Sequence, residues 1–211
     1  MLYKGIEDLR GRKPNILEHE RASKSAILLP LLQFQAETCI LFEKRSSFLK
    51  RQPGEICFPG GGIESSDLDT EIAAVRETCE ELGLVTEDIE LIAPLDIMVT
   101  PFNAIIYSYV GYIKDFSKIK PNYDEVEEVF YVPVNFLLKN EPILKKLLLR
   151  MDMPEDFPFE LIPHGKNYPF RQATYPQHFY IWKDRVIWGM TARILNHFLH
   201  LLNNCDKPIT S

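Results

Sequence analysis

Apolar positions along the first half of the chain fall in short runs separated by turn residues, the punctuation of a strand-rich fold. Ser25–Leu32 (SAILLPLL) and Thr38–Arg45 (TCILFEKR) read as strands joined by a short turn. Glu55–Gly61 reads as a short strand running into a glycine turn. From Asp69 to Leu82 the period changes: Ile72, Val75, Cys79 and Leu82 recur at spacings of 3, 4 and 3, which predicts a helix with one apolar stripe facing a core. Asp69 suits the N-cap of that helix and Gly83 its left-handed C-terminal residue. Ile89–Val99 and Ala104–Ile113 predict a strand pair around the turn at Thr100–Asn103. Glu128–Val134 predicts a strand with a short helix after it up to Lys139, His178–Asp184 another strand, and Trp188–Leu202 a terminal helix. Residues 140–175 have the weakest pattern, a helical or irregular piece followed by Phe159–Gly165 as a candidate strand. Mixed strands with a few helices, outside strict βαβ alternation, predict an α+β fold: an α/β/α sandwich with a mixed sheet packed between helices. No repeat or Gly/Ser linker divides residues 21–205, which predicts one domain there, preceded by an N-terminal arm or short helix over residues 1–20.

Composition narrows the function classes without naming one. The 211 residues, 45% hydrophobic and 26% charged, suffice for one ordinary core. A net charge of −6 tells against a nucleic-acid polymer as partner, because such binding leans on a basic surface. It leaves room for a small anion in a local basic pocket. No apolar run approaches the roughly 18–20 residues of a membrane span, and no membrane partner is expected. The N-terminal stretch lacks the apolar core of a secretory signal, so the expected location is cytoplasmic. Cys39, Cys57, Cys79 and Cys205 are scattered without a CxxC pair, so reduced thiols are expected rather than a zinc site.

The 69–82 helix carries the candidate chemistry. Glu77, Glu80 and Glu81 fall nearly opposite its apolar stripe, so amide replacements there are expected to spare the core. On an arbitrary helix such a face is simply solvated. Three observations favour a site. Glu77 and Glu81 are like charges at i, i+4, a pair that costs roughly a few tenths of a kcal/mol. From Gln52 to Ile113 the one Lys or Arg is Arg76, against twelve Asp and Glu. Three consecutive glycines, Gly60–Gly62, precede the helix and would let a ligand approach the backbone closely.

Arg76-Glu77-Thr78-Cys79-Glu80-Glu81-Leu82-Gly83-Leu84, with the glycine turn before it, resembles the Nudix hydrolase signature, G-x5-E-x7-R-E-U-x-E-E-x-G-U with U a bulky aliphatic. Two positions depart from it: Thr78 replaces an aliphatic, and Asp67 stands for the first glutamate, followed by eight residues before Arg76 rather than seven. The resemblance implies the Nudix three-layer fold, with Glu77, Glu80 and Glu81 binding Mg2+ or Mn2+ and Arg76 bracing the glutamates. Glu77 or a carboxylate from a separate loop would orient the attacking water. Glu125 is the expected loop acid, with Asp124, Glu127 and Glu128 as competitors.

A second block, Arg45-Ser46 through Gly54 to Phe58-Pro59-Gly60-Gly61, resembles the extra motif of the coenzyme A diphosphatase branch, with Lys50 in place of its second arginine and Arg51 adjacent. Glu125–Pro133 and Ile187–Ala192 resemble later segments of that branch. Lys44, Arg45, Lys50 and Arg51 form a basic cluster in an otherwise acidic chain, suited to the phosphates of a nucleotide. The implied substrate-binding set is Arg45, Lys50, Arg51, Gly60 and Gly61. The implied reaction splits the pyrophosphate of coenzyme A or its thioesters into 3′,5′-ADP and 4′-phosphopantetheine. The alternatives are a pyrophosphatase for NADH, ADP-ribose or a sugar nucleotide, and a non-catalytic nucleotide sensor. A homodimer is an open expectation. Phe179, Tyr180, Trp182 and Trp188 are expected in the core rather than against a base, and His164 and His178 have no assigned role.

Overall fold

The computed structural model describes residues 4–205. Its elements are α1 (Lys4–Glu7), β1 (Ser23–Phe34), β2 (Glu37–Arg45), β3 (Ile56–Cys57), β4 (Gly60–Gly62), α2 (Thr70–Leu82), β5 (Ile89–Pro94), β6 (Met98–Val99), β7 (Ala104–Ile113), β8 (Val126–Pro133), α3 (Val134–Lys139), β9 (Ile143–Leu149), β10 (Ala173–Trp182), β11 (Arg185–Ile187) and α4 (Gly189–Cys205). Turns follow α1, and His19 ties this stretch to β7 through a 2.8 Å bond with Tyr107 Oη.

Eight strands form one mixed sheet. β8 pairs with β2, β2 with β1, and β1 runs parallel to β7, which carries β5 and β6 on its far side. β1 and β2 pair only near their hairpin, Leu31–Phe34 against Glu37–Ile40. Beyond that they part, and Ile56–Gly62 fills the wedge with β3 on β2 and β4 on β1. The glycine turn is thus wedged into the middle of the sheet. β9, β10 and β11 make a separate antiparallel sheet.

Successive side chains of a strand point to opposite faces. Leu28 and Leu32 therefore join Leu41, Ala73, Ala74 and Leu82 beneath α2, while Leu29 joins Ile40, Phe42, Phe130 and the α4 residues Leu195 and Phe198. Helices cover both faces of the mixed sheet, as the α/β/α reading requires.

Three local expectations are corrected. Ile143–Leu149 is a strand, paired with β10 from Ile143↔Phe179 to Leu149↔Ala173. Its sequence, ILKKLLL, hides this because both faces are exposed and no alternation is selected. Phe159–Gly165 is not a strand but contains the 3-10 turn Phe159–Leu161 and leads into another at Gly165–Asn167. The segment Ile89–Val99 breaks into β5 and β6, with a register shift between Leu91 and Ala93.

The core face of α2 also differs from the sequence stripe. Ile72 is 44% exposed, and the enclosed residues are Ala73, Ala74, Thr78, Glu81 and Leu82. Small alanines let the helix approach the sheet more closely than isoleucine would. Thr78 is buried at the aliphatic position because its hydroxyl donates to the Ala74 carbonyl at 2.7 Å, leaving no orphaned group. Asp69 caps the helix by accepting from Ile72 N–H at 2.9 Å. Gly83 ends it at φ 63°, and a Cβ there would strike the Lys120 carbonyl.

That contact generates a stability prediction. Gly83→Ala should lose about 1–3 kcal/mol from the left-handed strain and the displaced Lys120 backbone. The measurement is urea unfolding, with a lower midpoint and unchanged slope expected; an unchanged midpoint would show that the Lys120 segment yields freely.

Candidate active site

The glycine turn and α2 fit together because two glycines lack side chains. At Gly60, φ is 147° and a Cβ would run into the β1 backbone at Ala26 and Ile27. At Gly61 a Cβ would occupy the position of the Glu77 carboxylate. With neither present, Glu77 closes over Gly61, and Gly60 N–H donates to Glu81 Oε2 at 2.8 Å.

Arg76 organises the outer acids. Its guanidinium grips Asp67 with two parallel bonds of 3.0 Å each, reaches Glu77 at 3.0 Å and Glu80 at 3.3 Å, and donates to the Gly62 carbonyl at 3.2 Å. The forked pair with Asp67 is the strong, orienting type. The displaced first acid of the signature therefore meets the arginine despite its extra residue of spacing. It holds the Asp67 carboxyl below the usual carboxylate range, chiefly through that bond.

The three helix glutamates do not share one environment. Glu80 is open to solvent, with a side chain 59% exposed, Glu77 is largely covered at 16%, and Glu81 is 3% exposed as a residue. The expectation that all three face away from the core fails for Glu81, which belongs to the packed face. Burial is the main influence raising the proton affinity of Glu77 and Glu81. Arg76 opposes it at Glu77 and the Gly60 N–H at Glu81, while neighbouring carboxylates reinforce it at both.

Sequence reasoning missed Glu43. Along β2 it continues the Cys39–Leu41 face that packs beneath α2, and it is wholly buried. Cys57 Sγ donates to its Oε1 at 3.2 Å; its Oε2 has no partner. Burial pushes the Glu43 carboxyl upward; the Cys57 thiol bond and the Arg45 charge oppose this, and the Glu125 charge adds a little to it. The available signal was the period of two, which puts a charged residue on an otherwise apolar face.

Among the four loop acids, Glu125 is the one whose charge acts on Glu43, Glu77 and Glu81. Glu127 is paired with Lys44 at 2.5 Å and Glu128 with Arg185. Asn122 and Lys120 N–H groups donate to the Glu81 and Leu82 carbonyls, docking this loop on the end of α2.

Beside the glycine turn lies a cavity of about 300 Å³ lined by Arg45, Arg51, Gly60–Gly62 and Trp188, among others. The Nε of Arg45 is buried without a partner. The basic cluster of the sequence is divided: Lys44 pairs with Glu127, Lys50 is exposed, and neither lines this cavity. The aromatic expectation is also divided. Tyr180 is buried and Trp182 packs on Phe136, but Trp188 is 43% exposed at the cavity with Phe179 stacked behind it.

Divalent metal chemistry suits this donor set. Carboxylates from α2, β2 and the Glu125 loop adjoin one another, and one oxygen of Glu43 is buried without a donor. Hard dications take oxygen ligands of this kind. Among the described residues no three such groups already converge at ligand spacing, since Glu77 and Glu80 lean on Arg76 and Glu81 on Gly60. Cys39, Cys57 and Cys79 are free thiols; the Cys205 side chain lies outside the described residues.

A family model for the NUDIX domain matches residues 23–151. The peroxisomal coenzyme A diphosphatase NUDT7 of Mus musculus is 37% identical over 128 residues, 61% of this chain and 54% of that protein. Nudix hydrolase 3 of Caenorhabditis elegans is 29% identical over 194 residues, 89% of this chain and 77% of that protein. The mitochondrial coenzyme A diphosphatase NUDT8 of Homo sapiens is 33% identical over 124 residues, 57% of this chain and 52% of that protein. The match thus spans about half the length of each of these two diphosphatases. In fold, a MutT/nudix family protein from Enterococcus faecalis matches with a TM-score of 0.52 at 16% identity, over 96% of this chain and 76% of that one.

The buried acids make stability depend on pH. Burial raises Glu43 and Glu81 in the folded chain above the unfolded carboxylate value of about 4.3. The folded protein then retains protons that the unfolded chain has released, so stability falls as pH rises through that interval. With chelator present, the melting temperature should fall from about pH 5 to about pH 9, where Glu81 loses its proton, and Glu81→Gln should flatten the fall. A slope unchanged by the substitution would contradict this account.

Proposed function

We propose that this chain, which belongs to the NUDIX domain family, is a hydrolase whose substrate is coenzyme A or a coenzyme A thioester, cleaved at the pyrophosphate. The products would be 3′,5′-ADP and 4′-phosphopantetheine or its acyl derivative. The observation that carries this reading is the cavity in which Arg45 and Arg51 adjoin the glycine turn, the same turn whose Gly60 and Gly61 meet Glu81 and Glu77 of the helix. The similarity to two coenzyme A diphosphatases supports the same substrate.

In this reading Glu77, Glu80 and Glu81 hold Mg2+ or Mn2+. When bound, the dication neutralises charge on the phosphoanhydride oxygens and promotes in-line attack by water. The remaining work belongs to the chain. Arg76 restrains Glu77 and Glu80, and the Gly60 N–H fixes Glu81. Arg45 and Arg51 hold substrate phosphates, with Arg45 Nε as a donor awaiting an acceptor. Trp188, braced by Phe179, offers its ring as a wall for the adenine. Glu125 takes a proton from the attacking water as its oxygen joins phosphorus, and the bridging P–O bond breaks with its electron pair leaving on the departing phosphate. Most of the catalysis is positioning and charge stabilisation.

Glu80→Gln and Glu81→Gln should each lower kcat by at least ~100-fold, the scale of losing a major electrostatic group. Glu81→Gln also alters a packed residue, so its circular dichroism and melting curve belong beside the kinetics. Full turnover in both variants would remove the metal-site reading.

Coenzyme A carries a 3′-phosphate that dephospho-coenzyme A, NADH and ADP-ribose lack. A charge-assisted bond to that phosphate contributes on the order of 1.5–3 kcal/mol, or roughly a 10–100-fold preference in kcat/KM for coenzyme A over dephospho-coenzyme A. Arg45→Ala or Arg51→Ala should shrink the ratio while affecting dephospho-coenzyme A less. Equal turnover of the two substrates by the parent protein would remove the 3′-phosphate argument. Faster turnover of NADH or ADP-ribose would give the substrate assignment to those compounds.

A further inference from the structure

We infer that Glu43 is an additional carboxylate of the metal site, contributed by the sheet from beneath the glutamate helix. The inference rests on the divalent-metal reading above and extends it to a residue outside the signature helix.

Three observations converge on Glu43. The first is its place in the register. β2 directs Cys39 and Leu41 into the core under α2, and Glu43 follows at the next position on that face. Across the wedge it is paired with Cys57 on β3, one residue before the Phe58-Pro59 step into the glycine turn. It therefore lies where sheet, turn and helix meet. The second is its environment. Glu43 is 0% exposed, yet Oε2 has no hydrogen-bond partner and Oε1 has only the weak thiol donor of Cys57. A buried carboxylate in that condition is unfavourable unless a cation or proton compensates it. Arg45, beyond a register shift in β2, lies near enough for its charge to favour ionised Glu43 but forms no ion pair with it, and its own Nε is also unpartnered. The third is its neighbour. Among charged groups, Glu43 acts most strongly on Glu81, which is itself buried and has the Gly60 N–H as donor. Two neighbouring buried acids, one with only a thiol donor and one with a single backbone N–H, and neither in an ion pair, are a pair whose charge a dication would compensate.

The competing role is structural, with Glu43 remaining protonated and only filling space beside Cys57. The two roles predict opposite responses in the metal-free and metal-loaded protein. A ligand should trade stability for metal affinity, whereas a packing residue should leave metal affinity alone.

The test is Mn2+ titration of the full chain without substrate, with free Mn2+ followed by electron paramagnetic resonance. Parallel melting curves are recorded in chelator. Glu43→Gln keeps the shape and removes the charge; Glu43→Thr suits a strand and serves if the amide folds poorly. Each is expected to weaken Mn2+ binding by at least ~10-fold, and Glu43→Gln should melt no lower than the parent in chelator. Glu81→Gln is the reference for the underlying reading and should weaken Mn2+ binding as well. Unchanged Mn2+ affinity in a folded Glu43 variant, with affinity lost in Glu81→Gln, overturns the assignment of Glu43 and leaves the metal site standing. Unchanged affinity in both Glu43 and Glu81 variants overturns the metal reading and this inference together.

Discussion

The close seating of α2 on the glycine turn sets the positions of Glu77 and Glu81, around which the other acids gather. Gly60 must be bare because β1 backbone occupies the space of its Cβ, and Gly61 because the Glu77 carboxylate does. The same absence of side chains exposes the Gly60 N–H to Glu81. A larger residue at Gly60 would force the turn away from β1, and one at Gly61 would displace the Glu77 carboxylate. Ala73 and Ala74 serve the same approach from the helix side.

That geometry gathers negative charge, which must be held against its own repulsion. Arg76 meets part of the demand by tying Asp67, Glu77 and Glu80 to one guanidinium. Farther in, where Glu81 and Glu43 are buried, burial itself disfavours their charged forms. The site therefore grades from a solvated, arginine-braced edge to an enclosed interior short of cations. Such a gradient suits a dication that brings its own charge and shares its coordination with substrate phosphates. The cavity beside the same turn differs in kind, since Arg45, Arg51 and Trp188 give it cations and an aromatic wall.

The parting of β1 and β2 connects these features. Where the strands separate, Ile56–Gly62 enters between them, so one short segment touches both faces of the sheet. Phe58 packs on Phe42 on the α4 side, while Gly60 and Gly61 meet α2 on the other. The turn is thereby anchored in the core, and its backbone is held rigidly for the groups that lean on it.

Much of this was readable along the chain. The hairpin, the Asp69 and Gly83 caps, the glycine turn and the Arg76–Glu81 cluster depend on residues within a few positions of one another, and local periodicity and spacing encode such structure. The helix rotation was not readable, because Ile72 and Val75 outweigh two alanines in any apolar count although the alanines make the contact. β9 is a strand only because β10, over twenty residues later, pairs with it. Glu43 lay in plain view as a charge inside an apolar run, but its burial follows from the wedge between β1 and β2 and the helix above it. Arg45, Arg51 and Trp188 come from distant segments, and no linear spacing relates the last to the others. The sequence by itself determined the hairpin, the glycine turn and the capped helix that carries the glutamates. Tertiary structure decided which acids are enclosed and which cations face the turn, because burial and charge proximity are set by strand pairing and helix seating between residues far apart in the chain.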